Sequence, residues 1–166
     1  GATCKDCPSG QCSAPNSESC STCDPLPNGN GGQAPSTRIG FFGGVIDDIT
    51  GSDPTKKSNA IEKYGPISSW NVSRITDMSF GFYGKTTFNA DLTLWNTSNV
   101  LNMDSLFTDC NAFNGDISTF DTAKVTSMSG LFSGNTVFNG DVSKFNTAKV
   151  TTMGNMFYGA TAFNGD

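Results

Sequence analysis

The sequence predicts an α/β repeat fold: a solenoid of 25-residue rungs, with a parallel strand ladder and short helical turns, preceded by an irregular cysteine-rich arm. Two observations carry this. The stretch WNVSRITDMSFGFYGKTTFNADLTL, which begins at Trp70, is written again from Trp95, Phe120 and Phe145 with no insertion or deletion. Apolar residues recur at fixed offsets inside it: Ile75, Val100, Val125, Val150; Met78, Met103, Met128, Met153; Phe82, Phe107, Phe132, Phe157; Phe88, Phe113, Phe138, Phe163. A fixed period of this size marks units that cannot bury their apolar side alone and do so against their neighbours.

Within a copy, the segment around DIS-x-F (Asp116–Phe120) holds β-branched and aromatic residues between an Asn-Gly-Asp turn and a Thr-rich bend, and so reads as the strand. The following V-T-x-M-x-x-x-F spaces apolar groups at i, i+3 and i+7, which predicts one or two helical turns. The aromatics and methionines are the expected core. Asn89, Asn114, Asn139 and Asn164 form a second column, expected to be a buried ladder that satisfies the backbone of successive turns.

The chain divides into three parts. Residues 1–36 carry Cys4, Cys7, Cys12, Cys20 and Cys23 and end in DPLPNGNGGQAPS, a linker composition. Extended chain with local disulfide loops is expected there. Residues 37–69 form an N-terminal cap. Phe41, Phe42, Val45, Ile46 and Ile49 are spaced for one helical face, although Gly40, Gly43 and Gly44 argue equally for strand or loop. Asp53-Pro54 reads as a turn, and Ser58 to Tyr64, followed by Gly65, as a short helix. Residues 70–166 are the four repeats, the last of them incomplete.

Cys4, Cys7, Cys20 and Cys23 have the CxxC…CxxC spacing of a structural zinc ribbon. The fifth cysteine, in a segment with almost no apolar residues, points instead to disulfides in an oxidising compartment. Five is odd, so one sulfur must pair elsewhere, with Cys110 or another chain, or stay free.

Charge and composition narrow the partners. The net charge is −5 with a pI near 4.5, so no basic stripe is available to a nucleic acid. No apolar run approaches the roughly 18 residues of a membrane span. A start at Gly-Ala suggests a processed secreted protein or a fragment.

No histidine is present, which rules out Ser-His and Cys-His pairs, and neither a phosphate loop nor an HExxH motif occurs. No enzymatic role and no cofactor are expected. Asp91, Asp116, Asp141 and Asp166 stack one per rung. Their repulsion can be relieved by bonds to their own turns, or by a bridging Ca²⁺. Asn71-Val-Ser and Asn96-Thr-Ser are glycosylation sequons at one repeat offset.

The entire pattern from YGPISSWNVSRITDMS through VTSMSGLF…FNGDVS resembles the BspA-like leucine-rich-repeat surface proteins, over about residues 53–166. That resemblance implies a leucine-rich-repeat-like fold and a cell-surface or adhesive setting, with no shared catalytic site. The last copy keeps its core pattern to the end, which leaves Met153, Phe157 and Phe163 on an open rung: either further repeats follow, or the rung is an assembly face that another molecule covers. The function expected is therefore an extracellular, glycosylated structural subunit that associates head to tail. The alternative is a surface adhesin that binds protein or glycan through its repeat face.

Overall fold

The computed structural model describes residues 11–13, 20–22 and 44–165. In the arm, β1 (Gln11–Ser13) and β2 (Cys20–Thr22) pair antiparallel, with Cys12 opposite Ser21. The sulfur partners of Cys4, Cys7, Cys12, Cys20 and Cys23, and the carboxylate of Asp166, lie outside the described part of the chain.

Two helices precede the repeats. Helix α1 (Val45–Thr50) buries Ile46 and Ile49. Helix α2 (Pro54–Tyr64) starts four residues earlier than the sequence suggested. Asp53 is its N-cap, accepting from the amides of Thr55 and Lys56, and Pro54 occupies the first helical position, where its missing N–H costs nothing. Gly65, at φ 76°, ends the helix with its N–H on the Ile61 carbonyl. A 3-10 turn, Ile67–Ser69, leads to Trp70.

The repeats correct the expected fold class. Their described residues contain no parallel strand ladder and no helices. Strand pairing among their described residues is confined to single-residue parallel bridges, Asp77 to Asn102, Asn102 to Ser127 and Ser127 to Thr152. These bridges fall in the stretch expected to be helical, and the segments expected to be strands, such as Asp116–Phe120, run as turns and irregular chain. Each rung is a series of tight turns.

Backbone conformation explains the difference. Phe80, Ser105, Gly130 and Asn155 share one offset and all have φ between 53° and 64°. Gly84, Asp109, Gly134 and Gly159 share another, with φ between 57° and 71°. Two left-handed residues four positions apart in each rung stop a helix from propagating through the stretch expected to be helical. The amides then alternate in direction. Those of Gly81, Tyr83 and Lys85 close turns onto the carbonyls of Met78, Phe80 and Phe82. Those of Met78, Phe80, Phe82 and Gly84 point along the stack, donating to the carbonyls of Asn102, Asp104, Leu106 and Thr108 at 2.8–2.9 Å. The same four bonds recur from the second rung to the third and from the third to the fourth.

Beneath this backbone run two phenylalanine columns. Phe82, Phe107, Phe132 and Phe157 stack with centroids 5.5, 5.7 and 5.6 Å apart and planes within 10° of parallel. Phe88, Phe113, Phe138 and Phe163 form the other, and each rung pairs one ring from each column at 3.8–4.1 Å. Offset stacking of this kind adds about 0.5–1.5 kcal/mol per pair to the area buried. The helices extend the same core: Ile46, Ile49, Ala60 and Ile67 join it. Lys85 of the first rung pairs with Asp47 of α1, and Thr87 donates to the Thr50 carbonyl.

Candidate functional site: the rung-four face and the surface ladders

Met78, Met103 and Met128 are fully buried, whereas Met153 is 41 % exposed. Phe157 and Phe163 are half-buried, where their counterparts in the first three rungs are buried. The first rung escapes this because α1 and α2 share its core. The rung-four face therefore combines an apolar floor with the amides of Met153, Asn155, Phe157 and Gly159, the offsets that donate along the stack in every earlier rung. Chemically it is a row of donors over a greasy base, suited to a further rung or a partner molecule that supplies carbonyls in step.

The asparagine ladder forms, but at the surface. Asn114, Asn139 and Asn164 each donate a backbone N–H to the side-chain Oδ1 of the asparagine one rung before, at 3.2, 2.8 and 2.9 Å. All four asparagines are exposed. They clamp rung edges that water can reach.

Asp91, Asp116 and Asp141 are also exposed, and each accepts the amide two residues on, from Thr93, Ser118 and Ser143. The Thr93 hydroxyl adds a 2.7 Å bond to Asp91. Hydrogen bonding lowers all three carboxyls below the ordinary value: chiefly from the side chains of Thr93 and Ser143 for Asp91 and Asp141, and from the Ser118 amide for Asp116. Each carboxylate is thus engaged by its own turn. No group of three metal-ligating side chains is assembled among the described residues.

The sequon asparagines occupy a turn position too. Half-buried Asn71 accepts the Ser73 amide at 3.0 Å, and exposed Asn96 accepts that of Ser98 at 3.1 Å. Asp121 and Asn146 make the same turn in the later rungs. Cys110 lies wholly inside the core, its thiol donating to the Phe82 carbonyl at 2.8 Å. Burial, above all, pushes this thiol up to about 12. It is free, and its position in the core keeps it from a partner in solvent.

Two features escaped the sequence reading. The opening Trp residues are more than core: the Trp70 indole donates to the carbonyls of Tyr64 and Gly65 where α2 ends, and that of Trp95 adds a second donor to the Ile67 carbonyl, which already takes the Trp70 N–H. The later copies open with Phe120 and Phe145. The second is a pair of exposed aromatics, Phe80 and Tyr83, with ring centroids 5.9 Å apart.

Over residues 55–166 the chain matches the family described as Mycoplasma protein of unknown function, DUF285. The chain belongs to the DUF285 family. The match takes in most of α2 and all four repeats. No curated protein and no solved structure matches the chain.

Proposed function

We propose that this DUF285 member is an extracellular structural protein, without catalytic activity, that works by stacking and associates with further copies through its rung-four face. The observation that carries the reading is the exact recurrence, at every rung junction, of four backbone bonds over paired phenylalanine columns. Within the chain each rung adds to the last by that one repeated contact. Two rung-four faces set against each other would oppose donors to donors, so association runs head to tail and does not close on itself. N-glycans at Asn71 and Asn96 belong to the same reading, and the surface character of the proteins that the repeats resemble agrees with it.

Sedimentation velocity over a rising concentration series tests the proposal. The intact chain is expected to form larger species with concentration, while Met153→Asp and Phe157→Asp variants stay monomeric with unchanged circular dichroism. An intact chain that remains monomeric throughout would remove the self-association claim.

A further inference from the structure

The packing of the rings dictates a dipeptide at the edge of the stack. Asn114, Asn139 and Asn164 are each followed by glycine, where the first rung has Asn89-Ala90. A Cβ at Gly115 would stand 3.0 Å from Cε2 of Phe113, and one at Gly140 would stand 2.8 Å from the same atom of Phe138. Both rings are fully buried and held in their columns. They occupy the space that a side chain would need, and glycine is the residue that fits.

Three features then meet at Asn114 and at Asn139. The asparagine is exposed, and its Nδ2 donates no hydrogen bond among the described residues. Its Oδ1 accepts the amide of the next rung's asparagine, at 2.8 Å for Asn114 and 2.9 Å for Asn139, which draws electron density away from Cγ. The N–H of the following glycine donates no hydrogen bond among the described residues, and no side chain shields it. An electrophilic carbon, an open leaving group and an unengaged nucleophile therefore lie on adjacent residues. Asn89 belongs to the same ladder, accepting the Asn114 amide at 3.2 Å, but the methyl group of Ala90 crowds the nitrogen beside it.

We propose that Asn114-Gly115 and Asn139-Gly140 are sites of spontaneous deamidation, at which the folded stack converts its asparagine ladder to aspartate and isoaspartate. The glycine N–H gives its proton to water or hydroxide, the nitrogen lone pair forms a bond to the asparagine Cγ, and the Cγ–Nδ2 bond breaks to release ammonia. The product is a five-membered succinimide. Water then adds to one of its two carbonyls. Opening at Cγ leaves aspartate, and opening at the main-chain carbonyl leaves isoaspartate. Each event consumes one water, releases one ammonium ion and adds one negative charge, with nothing oxidised or reduced. Aspartate keeps an oxygen acceptor for the next rung. Isoaspartate reroutes the main chain through the side-chain methylene, so the ladder bond is lost while the backbone bonds and ring columns of the rung remain. This modification is independent of association through rung four.

The test is incubation of the purified chain at neutral pH and body temperature for several weeks, followed by peptide mass spectrometry and enzymatic methylation of isoaspartate. Mapping separates the two sites from Asn28-Gly29 and Asn30-Gly31 of the linker. Asn114 and Asn139 are expected to convert at least tenfold faster than Asn89, with isoaspartate among the products and the rate rising with pH. Ala90→Gly, with unchanged circular dichroism, should bring Asn89 up to the rate of Asn114. A free peptide spanning residues 112–118 gives the rate without the fold. No conversion at either site while that peptide converts fully would overturn the proposal. Equal rates at Asn89 and Asn114 in the parent chain, or an Asn89 that stays slow in Ala90→Gly, would overturn it as well.

Discussion

Replacing Phe132 by alanine removes a ring from the middle of the stack. Phe132 is fully buried, lies 3.8 Å from Phe138 in its own rung, and stacks on Phe107 and Phe157 at 5.7 and 5.6 Å. Truncating a buried phenylalanine costs about 3–5 kcal/mol, and the better walled the cavity, the higher the cost. Rings above, below and beside it leave little room to collapse, so Phe132→Ala should lose about 4 kcal/mol. Phe157 stacks on Phe132 and Phe163 and is only half-buried, so Phe157→Ala should lose about 2 kcal/mol. Urea unfolding measures both, provided that circular dichroism and the fluorescence of Trp70 and Trp95 report one transition. Both tryptophans sit in the first two rungs, so a coincident shift also shows that damage in the third rung propagates along the stack. Equal losses at the two positions, or a loss at Phe132 below about 1.5 kcal/mol, would refute the idea that ring stacking between rungs holds the fold.

Three further outcomes follow from the same structure. Gly134→Ala should destabilise by about 1–3 kcal/mol, since it puts a Cβ at φ 68° and against the Asp109 carboxylate. Gly154→Ala, facing open space, should be near neutral in the same urea assay. Cys110 should resist thiol reagents in buffer and react fully in urea. Its folded value of about 12 lies above the unfolded thiol's, so its contribution is present below pH 9 and is lost as pH rises from there towards 12. A Cys110→Ala variant should show a flatter alkaline stability profile. The lowered carboxyls of Asp91, Asp116 and Asp141 act in the opposite sense: their contribution is present above the ordinary carboxyl range and is lost as pH falls through it. The triple Asn variant should therefore lose less stability on acidification below pH 4 than the parent.

The period, the core columns and the absence of a histidine were readable from the chain, because burial against an identical neighbour forces identical residues at identical offsets. Secondary structure within a rung was not. The i, i+3, i+7 spacing behind Val125 satisfies a helix as well as a series of turns, and periodicity read along the chain cannot separate them. Read down the columns, Gly84, Asp109, Gly134 and Gly159 hold residues that favour the left-handed region, and this was the available signal against a helix. The asparagine column was correctly a ladder but wrongly a buried one: its Oδ1 atoms bond the next rung's amides at the edge, where water also reaches. Asp53-Pro54 was ambiguous because the same dipeptide opens a turn or starts a helix, and only the packing of Ala60 onto the core decides for α2. The exposed Phe80 carries no periodic mark, since it breaks its column rather than following it.

Amide hydrogen exchange resolved residue by residue tests the stacked-rung account most directly. The account predicts strong, near-global protection at Phe82, Phe107 and Phe132, whose amides donate to Leu106, Leu131 and Met156 of the next rung. In dilute solution, the amide at the equivalent Phe157 should exchange faster than these three. Rapid exchange at Phe107 and Phe132, or protection confined to α1 and α2, would contradict it.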